Sequence, residues 1–304
     1  MKTEANYMQL CLGTVQFGLD YGITGQKKPP QEYAVECLDY ATQNGILAID
    51  TAAAYGTAEE VVGTFLAKKT IPRNKLFIST KLLPNILDEC PPEDYKRVIQ
   101  ESLYRSLRRL HLDYIDAYLL HSARYAFRED ILEALSAMQK EGLARKVGVS
   151  VYEPGEAMAC LTSPYVDFIQ APYSIFDHRM KQDAVLDQVQ NSKCELHTRS
   201  AFLQGLILME EFQIPAYLER AKPIVRKIGM ICKEAGVNRI ALAMSYVKRE
   251  SSISHLVFGV DSLEQLKEDI SLFQQEIPSD LLAEMDKEFA GLAADIVIPS
   301  LWKK

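Results

Sequence analysis

The sequence predicts a single (β/α)8 barrel, and three observations lead to this fold class. Eight short β-rich runs alternate with longer amphipathic stretches from one end of the chain to the other. The 304 residues, 48% of them hydrophobic, are enough to build one large core. No Pro/Gly/Ser-rich linker interrupts the alternation, so residues 1–304 are expected to form one domain.

The elements follow one another in a regular order. The strand candidates are LCLGTV, ILAID, LFISTK, YIDAYLLH, RKVGVS, VDFIQ, CELHTRSAF and ISHLVFG. The helix candidates are QEYAVECLDYATQNG, AEEVVGTFLAKK, PEDYKRVIQESLYRSLRRL, REDILEALSAMQKEG, EPGEAMACL, MKQDAVLDQVQ, two stretches between about residues 217 and 249, and SLEQLKEDISLF. Gly45 and Gly142 are expected to end the first and fourth helices, because glycine adopts the left-handed conformation of a helix end easily.

A doubly wound open sheet is the alternative with the same strand-helix pattern. Its dinucleotide-binding form carries G-x-G-x-x-G after the first strand. Here the first strand is followed by QFGLDYG, which does not match.

Composition limits the partners. Lysine and arginine number 34 against 41 acids, a net charge of −7 with both signs interspersed, so nucleic acid is not expected. No apolar stretch approaches the roughly 20 residues of a membrane span, and MKTEANYMQL lacks the pattern of a secretory signal. The six cysteines form no C-x-x-C pair, which predicts free thiols and no metal site. We expect a cytoplasmic protein; its oligomeric state is left open.

Four titratable residues fall at or just after the ends of three consecutive strands. Asp50 ends ILAID, Tyr55 follows it, Lys81 ends LFISTK and His121 ends YIDAYLLH. Taken singly, each has a plainer explanation, such as a helix cap at Asp50 or packing at Tyr55. In a barrel these ends share one rim, where Lys81 would lower the pKa of Tyr55, Asp50 would keep Lys81 protonated and His121 would orient a substrate oxygen.

Several fragments, in the right order and over nearly the whole chain, resemble the aldo-keto reductase superfamily. They are LGTVQFG, DTAAAYGTAEEVVG, STK, LLHS, GVS, IQAPYS, RSAFLQGLI and FGVDSLEQLKED. The resemblance implies a barrel that binds a nicotinamide cofactor, usually NADPH, without a Rossmann fold. It also implies that Tyr55 is the general acid of carbonyl reduction, with Lys81, Asp50 and His121 around it.

The resemblance further implies a set of cofactor-binding residues. They are Gly13, Thr14, Asp50, Ser150, Gln170, Arg199, Ser200, Leu203, Gly205, Gly259, Asp261, Ser262, Gln265 and Asp269. Two positions depart from the common pattern: Val151 stands where many members have asparagine, and Arg199 where the family often has an aromatic ring. An arginine can also stack on a ring.

Asp261 bears on the choice of cofactor. Many relatives hold the 2′-phosphate of NADPH with lysine and arginine in an I-P-K-S-x-x-x-x-R pattern, whereas this chain has FGVDSLEQ. A carboxylate there would repel a phosphate dianion; the other interpretation is that Asp261 only caps the last helix. We predict NADPH as cofactor, with NADH accepted as well.

The substrate is expected to be a small carbonyl compound or alcohol of unspecified identity. Candidate substrate-binding residues are Phe17, Tyr55, His121, Tyr173 and Trp302, the last in a PSLWKK tail that either covers the barrel mouth or only packs against it. Two other functions fit the same residues. One is a cofactor-binding regulatory or sensing protein with little turnover, and the other is a sugar-modifying enzyme that uses the cofactor transiently.

Overall fold

Eight parallel strands close into a barrel in the computed structural model, which describes residues 8–302. Each strand pairs with the next in sequence, and the first pairs with the eighth, with Cys11 opposite Val257. This closure confirms the predicted (β/α)8 barrel and rules out the open sheet. Most of the N-terminal stretch judged to lack a secretory signal, residues 1–7, lies outside the described residues, as do residues 303–304.

The strands are short and start near the predicted positions. They are β1 (Gln9–Gly13), β2 (Ala48–Asp50), β3 (Phe77–Leu82), β4 (Ile115–Leu120), β5 (Ala144–Ser150), β6 (Phe168–Pro172), β7 (Glu195–Arg199) and β8 (His255–Phe258).

The helices surround the barrel. They are α1 (Val15–Gly18), α2 (Gln31–Gln43), α3 (Ala58–Ala67), α4 (Tyr95–Leu110), α5 (Glu129–Lys140), α6 (Pro154–Thr162), α7 (Arg179–Gln182), α8 (Val185–Gln190), α9 (Lys222–Ala235), α10 (Arg239–Lys248), α11 (Leu263–Phe273), α12 (Ser279–Glu288) and α13 (Ala294–Val297). Gly45 and Gly142 follow α2 and α5 with φ of 87° and 75°, as predicted from their left-handed preference.

One predicted helix is wrong in detail. MKQDAVLDQVQ forms two short helices, α7 and α8, because Ala184 between them has φ of 56° and interrupts the helical backbone. None of the helices in residues 8–302 is long and apolar enough to cross a membrane.

The apolar side chains form two layers. The larger fills the space between the strands and the surrounding helices. The smaller fills the barrel with Cys11, Ala48, Phe77, Ala117, Leu119, Phe168 and Val257. Because side chains alternate along a strand, each inward position recurs two residues later, and this brings Asp50 and Lys81 to the same interior at its C-terminal end.

Candidate active site

Asp50 and Lys81 form a buried ion pair at the C-terminal rim of the barrel. Lys81 Nζ lies 2.6 Å from Asp50 Oδ2 and donates to the carbonyl oxygen of Thr51 at 3.0 Å. The other carboxylate oxygen of Asp50 accepts from Ser79 Oγ and Gln170 Nε2, both at 2.8 Å. Asp50 is therefore held by three side chains and is not the cap of the next helix.

The pair keeps Lys81 charged. Burial by itself would lower the pKa of Lys81, but the charge of Asp50 and the nearby phenol of Tyr55 outweigh it and hold the pKa above its ordinary value. An ammonium ion is thus fixed at the rim without exposure to solvent.

Tyr55 lies over this ammonium ion. Lys81 Nζ is 5.1 Å from the centroid of the Tyr55 ring, and the ring meets that of His121 edge to face at 5.7 Å. Burial raises the pKa of Tyr55 and Lys81 opposes that rise without reversing it. Lys81 thus acts on the pKa of Tyr55 in the expected direction, but the expected net lowering of this pKa is wrong. Tyr55 is a protonated phenol at neutral pH, and Lys81 lies where it can stabilise the phenolate.

His121, directly after β4, is neutral. Burial, followed by the charges of Lys81 and Arg199, lowers the pKa of His121 to about 3. Its Nδ1 is buried without a hydrogen-bond partner among residues 8–302. A neutral imidazole can donate a hydrogen bond to an oxygen atom in the cavity without adding a positive charge there.

Two glycines fix the loop that carries Tyr55. A Cβ atom on Gly18 of α1 would lie 1.7 Å from the carbonyl oxygen of Tyr55, and one on Gly56 would lie 2.4 Å from the carbonyl oxygen of Gly18. Gly56 also has φ of 55°, in the left-handed region. The two backbones therefore touch directly, which sets the position of Tyr55.

A cavity of about 550 Å³ opens at this rim, a size typical of cofactor and substrate sites. Fourteen of the residues expected at the site line it: Gly13, Thr14, Asp50, Tyr55, His121, Ser150, Gln170, Arg199, Ser200, Leu203, Gly205, Gly259, Asp261 and Gln265. Lys81 lies behind Asp50 and is completely buried.

Three residues expected to form the substrate wall pack elsewhere. Phe17 is buried in the layer between strands and helices. Tyr173 stacks on Tyr246 at 5.5 Å, and its hydroxyl donates to Glu250 at 2.9 Å. Trp302 is buried and donates from Nε1 to the carbonyl oxygen of Ile296 at 3.2 Å. Burial of a large aromatic ring is strongly favourable, and all three rings are buried.

Two residues expected at the cofactor also lie off the cavity. Ser262 is the N-cap of α11, where its hydroxyl accepts from the backbone N–H of Gln265 at 3.1 Å. The capping role considered for Asp261 thus belongs to Ser262, and the Asp261 carboxylate is left at the cavity wall. Asp269 is completely buried within α11, and neither of its carboxylate oxygens has a partner in the described part of the chain.

Several contacts at the cavity wall were not predicted from the sequence. Arg199 stacks on Tyr152 with Cζ 4.3 Å from the ring centroid, and its Nη2 donates to the carbonyl oxygen of Val151 at 2.9 Å. Gln16 covers Gly259, where a Cβ atom would lie 2.3 Å from Oε1 of Gln16. Gln204, Pro299 and Ser300 line the cavity as well; the last two belong to the PSLWKK tail, for which covering the barrel mouth was one of the two alternatives. Of these contacts, only the one between Gln16 and Gly259 had a signal in the sequence, because a glycine often marks a position where another group approaches the backbone closely.

Comparison with known proteins agrees with the barrel fold. The profile of the Aldo/keto reductase family matches residues 9–288. The chain belongs to the aldo/keto reductase family.

Relatives in this family span nearly the whole chain. An uncharacterized oxidoreductase of Bacillus subtilis is 24% identical over 95% of this chain and 94% of its own. The protein Tas of Escherichia coli is 27% identical over 91% and 92%. The holo form of an aldo-keto reductase of Bacillus halodurans superposes with a TM-score of 0.74, at 21% identity, over 92% of this chain and 91% of that one. This last likeness concerns the fold.

The cavity wall carries charged side chains of both signs. Among the described residues that line the cavity, Arg199 is the one cation, and it lies at the rim near His121. Asp261 and Gln265 also line the cavity, and the backbone N–H of Asp261 donates to Gln265 Oε1 at 2.8 Å. This part of the wall therefore carries an acid and an amide.

Proposed function

We propose that this aldo/keto reductase is a cytoplasmic NADPH-dependent enzyme, able to use NADH as well, that reduces an aldehyde or ketone to an alcohol or runs the reverse reaction. The observation that carries the proposal is the convergence of a buried Lys81–Asp50 pair, protonated Tyr55 and neutral His121 at one cavity mouth. The six free cysteines fit a reducing compartment.

The cavity wall suits a nicotinamide cofactor. Ser150 and Gln170 are paired across β5 and β6 beside the catalytic residues, and the Gln170 amide carbonyl is left to accept a hydrogen bond. Gln16 and Gln204 also line the cavity and add amide groups to its wall. Gly13 and Thr14, with the segment from Arg199 to Gly205, would hold the rest of the cofactor.

When bound, a reduced nicotinamide supplies the hydride for the substrate carbonyl carbon. The side chains of the protein supply the proton and stabilise the charge that its transfer leaves. Tyr55 holds a proton at neutral pH and can give it to the carbonyl oxygen, and the ammonium of Lys81 stabilises the phenolate that remains. His121 orients that oxygen, and Asp50 keeps Lys81 charged. In alcohol oxidation the Tyr55 phenolate accepts the proton.

The proposal is tested by following the oxidation of NADPH and of NADH with a panel of aldehydes and ketones. Tyr55→Phe removes only the hydroxyl, so we expect turnover to fall by about 10²-fold or more while cofactor binding, measured by fluorescence titration, is retained. Tyr104→Phe on exposed α4 is the matched control and is expected to behave as the wild type.

Other outcomes would support other functions. Cofactor binding without turnover on any substrate would contradict the proposal and indicate a sensing protein. Product formation without net cofactor consumption would indicate transient use of the cofactor, as in a sugar-modifying enzyme.

A further inference from the structure

A second polar cluster lies at the opposite end of the barrel interior, at least 74 positions along the chain from any of the four catalytic candidates. Glu195 and His197 are two residues apart on β7 and so face the same side of the sheet. His197 is in register with His255 on the neighbouring β8, which brings both rings together with centroids 4.2 Å apart. One ligand atom from each of the three residues lies within 4.8 Å of the other two.

The three groups converge on one carboxylate oxygen. Nε2 of His197 lies 2.9 Å from Oε1 of Glu195, and Nδ1 of His255 lies 3.8 Å from the same oxygen. The second distance is too long for a hydrogen bond, and this nitrogen has no partner among residues 8–302. Two metal–ligand bonds of about 2.0–2.2 Å span such a gap.

The chemistry of the cluster also suits a cation. The three ligand atoms are two imidazole nitrogens and one carboxylate oxygen, and each can offer a lone pair to a metal ion. Lys146 pairs with the other oxygen, Oε2, which orients Oε1 toward the histidines.

Part of the cluster borders a second cavity. This cavity, of about 370 Å³, is lined by Glu195 and His255 and has the exposed residues Gln190 and Ser251 on its wall. His197 is completely buried.

We propose that Glu195, His197 and His255 form a binding site for a borderline transition-metal ion such as Zn²⁺, separate from the active site. Two imidazoles and one carboxylate are a ligand set that such ions take, with water completing the coordination. The ion replaces the hydrogen between His197 Nε2 and Glu195, so that the proton of His197 moves to Nδ1. The site does not depend on the proposed carbonyl chemistry.

Titration of the metal-free full-length chain with ZnCl₂ in a calorimeter tests the proposal. We expect one saturable site per chain, weakened at least tenfold in both Glu195→Gln and His255→Asn. His111→Asn, at an exposed histidine far from the cluster, is the matched control, since asparagine tolerates its left-handed backbone. Cys194→Ser, on the same cavity wall, is also expected to bind as the wild type.

Crystals of the wild type grown with one equivalent of ZnCl₂ give a readout that needs no variant to fold. An anomalous peak at the zinc edge between Glu195, His197 and His255 is the expected result. The absence of saturable binding, a peak only at cysteine side chains, or affinity lost in Cys194→Ser but kept in Glu195→Gln would overturn the proposal.

Discussion

Lys81 Nζ lies 2.6 Å from Asp50 Oδ2 in a pair whose side chains are 0% and 3% exposed to solvent. The two residues close the ends of neighbouring strands, so the backbone that forms the barrel also forms the pair. The Lys81 ammonium is also the cation that lies over the Tyr55 ring. A substitution of Lys81 should therefore change the pKa of the Tyr55 phenol.

We expect Lys81→Met to raise the pKa of Tyr55 further, because burial already raises it and Lys81 is the main group that opposes the rise. The limb of the pH profile of alcohol oxidation that reports the Tyr55 base should move upward by about 1–3 pH units, with a fall in kcat. The measurement is kcat/KM for alcohol oxidation between pH 6 and 11. Lys193→Met, at an exposed lysine, is the control; a limb that stays in place in Lys81→Met would contradict the assignment.

His121 is expected to stay neutral through the physiological range. Burial and the neighbouring cations lower its pKa to about 3, so the rate of carbonyl reduction should show no limb from this residue between pH 5 and 8. Nitrogen-15 NMR of labelled protein, with the signal assigned by its loss in His121→Gln, checks the charge directly. A ring that titrates near 6.5 would refute the prediction.

Asp261 is expected to limit the preference for NADPH. Because Asp261 lines a cavity whose described wall has no cation other than Arg199, wild-type affinities for NADPH and NADH should differ by less than a hundredfold. Asp261→Ser and the isosteric Asp261→Asn remove the negative charge, so both should favour NADPH more strongly, by roughly tenfold. Fluorescence titration with both cofactors measures this; a wild-type preference for NADPH above a hundredfold is the contrary result.

Asp269 is expected to lower the free energy of unfolding at neutral pH. Burial, with a smaller contribution from Glu268, raises the pKa of Asp269 to about 7, whereas an unfolded aspartate has a pKa of about 3.9. Between these values the unfolded chain releases a proton that the folded chain retains, so this residue makes stability fall as pH rises from about 4 to 7.

Asp269→Asn removes this cost. The variant should be more stable than the wild type by on the order of 3 kcal/mol at pH 8, with the gain disappearing near pH 4. Urea unfolding at several pH values measures it, and Asp113→Asn at an exposed position is the control. An equal effect at pH 4 and pH 8 would show that the carboxyl is not the source.

The sequence was informative where side chains follow strand ends. Asp50, Lys81 and His121 could be placed at one rim because each terminates an apolar run, and parallel strands end at the same edge. Gly45 and Gly142 were equally predictable, because their backbone conformation is local.

The remaining features depend on tertiary packing that no short pattern records. Tyr173 and Trp302 are buried in the core and do not line the cavity. The cluster of Glu195, His197 and His255 can be recognised only when the register between β7 and β8 is known, since His197 and His255 are 58 positions apart in the chain. The direction of the Tyr55 pKa was also missed, because burial had to be weighed against the charge of Lys81.

The backbone contact between Gly18 and the Tyr55 loop has a consequence for protein engineering. A Cβ on either Gly18 or Gly56 would overlap main-chain atoms of the other segment, so α1 and the loop from Thr51 to Ala58 cannot be redesigned independently. Anyone who transplants this loop into another barrel, or diversifies it in a library, must carry both segments together as one module.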